Sequence, residues 1–385
     1  MSIMVKKLYK NGAFLYKMNL IAGKNGLGNL VQWVHIIEDD SATSFLHGNE
    51  LVFTAGILNH SNEWLLNFAR NLYASGTSAF VINIGPHIKS IPNEVIEYCN
   101  EVNMPLFTVP WETRMVDMTR DFCHRIMNNE HVEINTATTI KDIIFNVGNI
   151  DTQVQQMERY GYQRDSNFCF ISIVTNESGG GLDEYKDTLA KLAEIVAKRM
   201  HELFITFSYK EFLILALVNY TDEEIKGFVE EFIKMVSQQT KGLFLHMGVS
   251  SNQAGIYEQK KNFEKALSAM KMAIKRNELY SFYEKLGIYK VLYAVNDKVV
   301  LREYYKNIIG KLEMYDRENG TQLTSMLWTY LENNGSLQIA AEKLFVHRNT
   351  VTNQLKKIEE LTGYNPMDLE DKVKFCIAFY IKEIL

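Results

Sequence analysis

The stretch Ser336–Leu361, SLQIAAEKLFVHRNTVTNQLKKIEEL, decides how the chain is read. Leu337, Ala341 and Leu344 recur at i, i+4 and i+7, and so do Val351, Leu355 and Ile358. That spacing predicts two short amphipathic helices, each with one apolar face. Phe345-Val346-His347 forms a tight connection between them, and the small Ala340 and Ala341 let the second helix cross closely. This is the layout of a helix-turn-helix, whose second helix lies in a DNA major groove.

The outward face of the second helix suits that task. With Val351 turned inward, steps of 100° place Asn349, Thr352, Asn353 and Lys356 on the far side. Asn can pair bidentately with adenine, Thr can touch a base edge or a thymine methyl, and Lys reaches guanine or phosphate. His347, Arg348 and Thr350 open the helix, and Lys357 lies off the outward axis, toward a phosphate strand. Lys343, Arg348, Lys356 and Lys357 share a segment free of acidic residues, although from Leu323 onward acidic residues slightly outnumber basic ones. A duplex responds to charge within about a Debye length, ~8–10 Å, so the local patch matters more than the domain total. A helical hairpin packed in a core, with Lys and Arg as a solvated rim, has the same periodicity.

The residues themselves go further. Leu327–Leu331, then Ala340-Ala341-Glu342-Lys343-Leu344-Phe345-Val346-His347-Arg348-Asn349-Thr350 and Leu355-Lys356-Lys357-Ile358-Glu359-Glu360-Leu361, resemble the Fis-like helix-turn-helix of the PucR/CdaR family of bacterial transcription regulators. Many members carry arginines mid-helix where this chain has Thr352, Asn353 and Gln354. The departure implies fewer phosphate contacts and a different operator.

Length and composition admit two or three domains with cores. The 385 residues are 46% hydrophobic and 23% charged, with a net charge of −5, which excludes a general polyanion-coating protein. Cys99, Cys123, Cys169 and Cys376 are far apart and form no C-x-x-C pair, so structural zinc is not expected and a reducing cytoplasm is. No apolar run approaches the ~18 residues of a membrane span. No metal ligand set, catalytic residue or cofactor motif is expected. Gly23–Gly28 does not form G-x-G-x-x-G, and no G-x-x-x-x-G-K-[ST] occurs.

Residues 1–125 read as an α/β domain. Leu51–Thr54 and Phe80–Gly85 are strands, a helix carries Trp64, Leu65, Phe68 and Leu72, another starts near Pro92, and Pro105–Pro110 closes the series. Such alternation implies a parallel sheet with ligands beyond the strands' carboxyl ends. A small polar ligand is expected there, near Glu50, Thr54, Gly56, Asn83 and Gly85. Gln32-Trp33-Val34-His35, Phe45–Gly56 and Met104–Pro110 resemble landmarks of the PucR N-terminal domain. That resemblance implies effector sensing, often of purine-catabolic or other nitrogen compounds.

Residues 126–165 are expected to be a helical connector, 166–285 a second α/β domain, and 286–385 an all-helical domain with its core at 323–382. The middle domain resembles a degenerate GGDEF-type nucleotide-cyclase domain. Its first strand ends in Val174-Thr175-Asn176-Glu177, with one carboxylate, and its hairpin reads Ser208-Tyr209-Lys210-Glu211-Phe212, without glycine. A cyclase holds metal with carboxylates and lets phosphate approach a glycine backbone. Gly179–Gly181 could cradle phosphate or be a plain loop.

The expectation is therefore a cytoplasmic, ligand-responsive transcription regulator that is not an enzyme. It would bind a double-stranded DNA operator as a homodimer or higher homo-oligomer, with a purine-related effector as one option. The alternatives are a nucleotide-handling enzyme of the cyclase type and an effector-independent DNA-binding protein.

Overall fold

The computed structural model describes residues 2–58, 61–175, 182–201, 203–240, 243–295 and 297–385. The chain opens with β1 (Ile3–Met4), α1 (Val5–Tyr16), β2 (Asn19–Ala22), β3 (Leu30–Val31) and β4 (Trp33–Ile36). β5 (Glu50–Thr54), α2 (Asn62–Ala74), β6 (Ala79–Ile84), α3 (Asn93–Glu101) and β7 (Leu106–Pro110) follow. Next come α4 (Met115–Phe145), α5 (Ile150–Arg159), β8 (Asn167–Thr175), α6 (Leu182–Met200), β9 (Phe204–Tyr209), β10 (Phe212–Val218) and α7 (Asp222–Gln239). β11 (Leu245–Val249), β12 (Gln253–Ala254), α8 (Gln259–Arg276) and β13 (Tyr280–Phe282) precede a helical tail. Among the described residues, no helix is long and apolar enough to cross a membrane.

The chain forms two compact units, Met1–Phe244 with Asn252–Phe263, and Leu245–Ser251 with Glu264–Leu385. In the first, a five-stranded sheet has the order β2-β7-β6-β5-β4. β4 to β7 run parallel and β2 antiparallel. Because the parallel strands are laid down in sequence, right-handed crossovers put α2 and α3 on one face. Strand side chains alternate between faces. Val52, Phe80, Ile82 and Leu106 therefore pack with Leu65, Phe68, Leu72, Val95 and Cys99 of those helices. Leu51, Phe53, Val81, Phe107 and Val109 pack with Val5 and Leu8 of α1 and Met118, Phe122 and Ile126 of α4.

α4 does not stop where the core of the first sheet ends. Thr136, Thr139, Ile140, Ile143 and Ile144, farther along the same 31-residue helix, are buried again. The connector expected at 126–165 thus begins inside a helix. The second sheet contributes β8, paired antiparallel with β10 and β12, and β9, paired with β10 at the sheet's edge. Lys210, at the tip of the β9–β10 hairpin, has a φ of 51°. Tyr209 stacks on Phe145 at 4.9 Å and meets Phe263 edge-on at 5.4 Å. Rings fill the hairpin flank, and no glycine is there for phosphate to approach. Asn176, Glu177 and Gly179–Gly181 lie outside the described residues.

In the second unit β11 runs parallel to β13. The tail is α9 (Tyr289–Ala294), α10 (Lys298–Tyr305), a π-helical turn (Lys306–Gly310), α11 (Lys311–Asn319), α12 (Leu323–Glu332), α13 (Leu337–Lys343), α14 (Arg348–Thr362) and α15 (Leu369–Ile384). Leu323, Met326, Leu327, Ala340, Val351, Leu355, Ile358 and Phe375 form its core. The Asp316 carboxylate ties α11 to the start of α12. It accepts from the Leu323 and Thr324 amides, both at 2.8 Å, and from the hydroxyls of Thr321 at 2.6 Å and Thr324 at 2.7 Å. Burial pushes this carboxyl up, but the four hydrogen bonds outweigh it and hold its pKa below the ordinary value.

Candidate nucleic-acid interface and ligand positions

α13 and α14 form the expected two-helix unit. The Ser336 hydroxyl accepts from the Ile339 amide at 3.3 Å, capping α13. His347 caps α14, its Nδ1 accepting from the Asn349 amide at 3.2 Å. A serine cap such as Ser336 contributes about 0.5–2 kcal/mol. Ala340 and Ala341 are buried at the crossing, and Val351, Leu355 and Ile358 are the inward face of α14. Each such aliphatic side chain contributes about 1.5–3 kcal/mol through burial. Phe345 occupies the turn with a φ of 55°, and its side chain is 95% exposed.

The outward face is uneven. His347, Arg348, Asn349, Thr350, Asn353 and Lys356 are exposed, while Thr352 and Lys357 are half-buried. The Thr352 hydroxyl donates to the Arg348 carbonyl at 3.2 Å, leaving its methyl and lone pairs for a partner. Lys357 Nζ donates to Glu360 at 3.1 Å and sits 5.8 Å from the centre of the Tyr315 ring. Arg348 and Lys356 have no ion pair among the described residues, so their charge is uncommitted. A capped helix showing Asn, Thr, Arg and Lys on one face offers the residue types that a helix-turn-helix recognition helix uses.

The expected ligand residues are not gathered in one place. Glu50 opens β5 and Thr54 ends it, so they stand roughly 13 Å apart at the strand's rise of ~3.3 Å per residue. Placing Glu50 among the carboxyl-end groups is corrected: it sits beside the β5 entry, where it accepts from the His47 amide at 2.8 Å. Asn83 follows Val81 onto the α1/α4 face and donates to the Thr113 carbonyl at 3.2 Å, whereas Thr54 follows Val52 onto the α2/α3 face. Oδ1 of Asn83 and Oε2 of Glu50 are buried without a hydrogen-bond partner. Gly56 has a φ of 68°, and a Cβ on Gly85 would lie 2.4 Å from the Trp111 ring. Glycine at 85 therefore makes room for an indole.

Glu38 was not anticipated at this end of the sheet. Its carboxylate accepts from the Ala55 amide at 2.8 Å, the Ile57 amide at 2.9 Å and the Thr54 hydroxyl at 3.1 Å. It takes the donors an anionic ligand would use there. An acidic residue a few positions before a buried strand is a weak sequence signal, because the loop between them is irregular. Among the described residues no cluster of side chains suits a metal ion.

Taken together, the two α/β bodies and the capped recognition hairpin define a multidomain helix-turn-helix protein. The purine catabolism regulatory protein-like (PucR) family profile matches residues 7–126, and the PucR C-terminal helix-turn-helix domain profile matches 323–381. The chain thus carries a PucR-family N-terminal domain and a PucR C-terminal helix-turn-helix domain.

Of three Bacillus subtilis relatives, two are described as transcriptional activators and the third as a regulatory protein. The proline-responsive transcriptional activator PutR is 26% identical over 232 residues, 58% of this chain and 56% of that protein. The DNA-binding transcriptional activator AdeR is 27% identical over 240 residues, 60% of this chain and 55% of that protein. The purine catabolism regulatory protein is 28% identical over 121 residues, 31% of this chain and 23% of that protein. The chain spans about half the length of the first two.

Proposed function

We propose that this protein is a ligand-responsive, sequence-specific DNA-binding transcription regulator, acting on genes of purine or other nitrogen-compound catabolism. The observation that carries the reading is the outward face of α14, capped by His347 and displaying Asn349, Asn353, Arg348 and Lys356 to solvent. Asn349, Thr352 and Asn353 read base edges. Arg348, Lys356 and Lys357 supply charge to the phosphates, with His347 and Thr350 at the helix entry. A homodimer sets two such helices on one face of the duplex, so the operator is an inverted repeat with half-sites ~10 bp apart or a multiple of it. In this reading the protein works in the cytoplasm.

The middle domain serves as a structural and oligomerising body with no GTP turnover, which the ring-filled flank of the β9–β10 hairpin supports. Selection of bound duplexes from a random-sequence pool tests the function. Enrichment of one inverted repeat is expected; a pool that stays random after repeated rounds removes the claim of sequence-specific regulation.

A further inference from the structure

A second stretch of α4 borders a cavity away from the strand ends of the sensor sheet. The cavity measures about 610 Å³, within the range of small-molecule sites. Ile134, Ala137, Thr138 and Lys141 of α4 form one wall, at i, i+3, i+4 and i+7 from the first. Asp187, Ala190, Lys191 and Glu194 of α6 form another with the same spacing. The third is β9, at the edge of its sheet, whose outer side carries backbone donors and acceptors that no strand among the described residues takes.

The charges around this cavity are not equally available. At one end Glu133 and Glu194 are held by Lys198, whose Nζ donates to Glu133 at 2.9 Å and also to Glu194. Asn129 donates to Glu133 at 2.9 Å, and the Ser2 hydroxyl to Glu194 at 2.6 Å. That end is closed upon itself. Lys141, Lys191 and Asp187 line the cavity and have no ion pair among the described residues. Two ammonium groups against one carboxylate leave the open part positive, beside the apolar Ile134, Ala137, Ala190 and Phe207. Lys141 Nζ lies 6.0 Å from the centre of the Phe207 ring, which fixes its side.

An independent feature marks the third wall. Oγ1 of Thr206 in β9 is buried yet has no hydrogen-bond partner. A buried hydroxyl without a partner costs about 1–3 kcal/mol, so a polar ligand group reaching it removes a standing penalty.

We propose that this cavity binds a small carboxylate: Lys141 and Lys191 take the carboxylate, and Thr206 with the free edge of β9 takes a second polar group. The cavity then becomes the effector site, which rests on the reading of the chain as a ligand-responsive regulator. Its position suits that role. α4 carries Met118, Phe122 and Ile126 in the sensor core and the buried Ile140, Ile143 and Ile144 farther on, and the cavity lies along the helix from Glu133 to Lys141, past the sensor core. A ligand seated here touches α4, α6 and β9 at once.

The test uses the full chain, titrated by thermal shift and calorimetry with pyruvate, succinate, glutamate and benzoate, with their neutral amides, and with inorganic phosphate. At least one carboxylate should bind saturably while its amide and phosphate do not. Lys141→Met with Lys191→Met should weaken that binding at least tenfold, and Asn83→Ala should leave it unchanged. Thr206→Val should weaken it several-fold while leaving the melting temperature of the ligand-free protein unchanged or higher, which a merely structural threonine would not do. No binding by any of the four, equal binding of phosphate, or binding that survives the double lysine change overturns the proposal. Binding of the selected operator duplex is measured on the same preparations. Loss of operator recognition counts against the regulator reading, and loss of carboxylate binding alone counts against the cavity.

Discussion

Lys357 of the recognition helix rests over the ring of Tyr315 in α11, its Nζ 5.8 Å from the ring centre, and is held there by Glu360 at 3.1 Å. The charge is thus partly spent inside the protein. An exposed ion pair contributes only about 0–1 kcal/mol, so a phosphate can still recruit the lysine. Lys357→Ala should weaken operator and random DNA alike and reduce the salt slope by about 0.9. Glu360→Gln should do the reverse, strengthening both and steepening the slope. Titrations at several salt concentrations decide this; a Lys357→Ala protein with the affinity and salt slope of the parent would mean Lys357 makes no phosphate contact.

Asn353 tests the other kind of contact. It is exposed on the outward face of α14 with no hydrogen-bond partner among the described residues. Asn353→Ala should cost ~1–3 kcal/mol on the best operator and little on random duplex. Equal losses on both would move the base-reading role elsewhere on the helix.

Asp316 makes the stability of the helical domain pH-dependent. Its folded pKa is depressed, so its contribution is present above the unfolded carboxylate value of ~3.9 and is lost as pH falls through the folded value. Asp316→Asn keeps a polar side chain but loses the charge-assisted bonds, at a cost of about 1.5–3 kcal/mol at neutral pH. Denaturant unfolding of both proteins from pH 7 down to pH 2 should show the gap narrowing only at the acid end. A gap that is constant across that range would contradict the assignment.

Gly85 provides a test in the N-terminal α/β domain. Gly85→Ala would force the Trp111 ring from its seat, since the added Cβ falls 2.4 Å from it. Overpacking of this kind costs about 1–3 kcal/mol. Tryptophan fluorescence should report a more exposed indole alongside the lower melting temperature. An unchanged spectrum with unchanged stability would show that the loop yields freely.

The recognition hairpin could be read from the sequence because its periodicity and its burial are the same fact: Val351, Leu355 and Ile358 were spaced as one face and are buried as one face. The same holds for Trp64, Leu65, Phe68 and Leu72 of α2. Strands buried on both sides carry no such signal. Leu51-Val52-Phe53-Thr54 announced a strand but not which way each residue pointed, so Glu50, Thr54 and Asn83 were grouped although the pleat and the strand's length separate them. The edge strands β2 and β4 went unread, being four residues each with exposed positions. The cavity walls did leave a trace, in the matching four-position stripes on α4 and α6. Only the fold shows that the two stripes face the same space.

The continuity of α4 also bears on how the parts of this chain could be exchanged. The PucR profile ends at residue 126, about a third of the way along a helix that runs from Met115 to Phe145. A crossover at that border would splice two halves of one helix and require their registers to agree. Recombination that keeps α4 whole, joining near Asn146 where the backbone turns left-handed with a φ of 55°, would carry the N-terminal α/β domain away with the full helix attached.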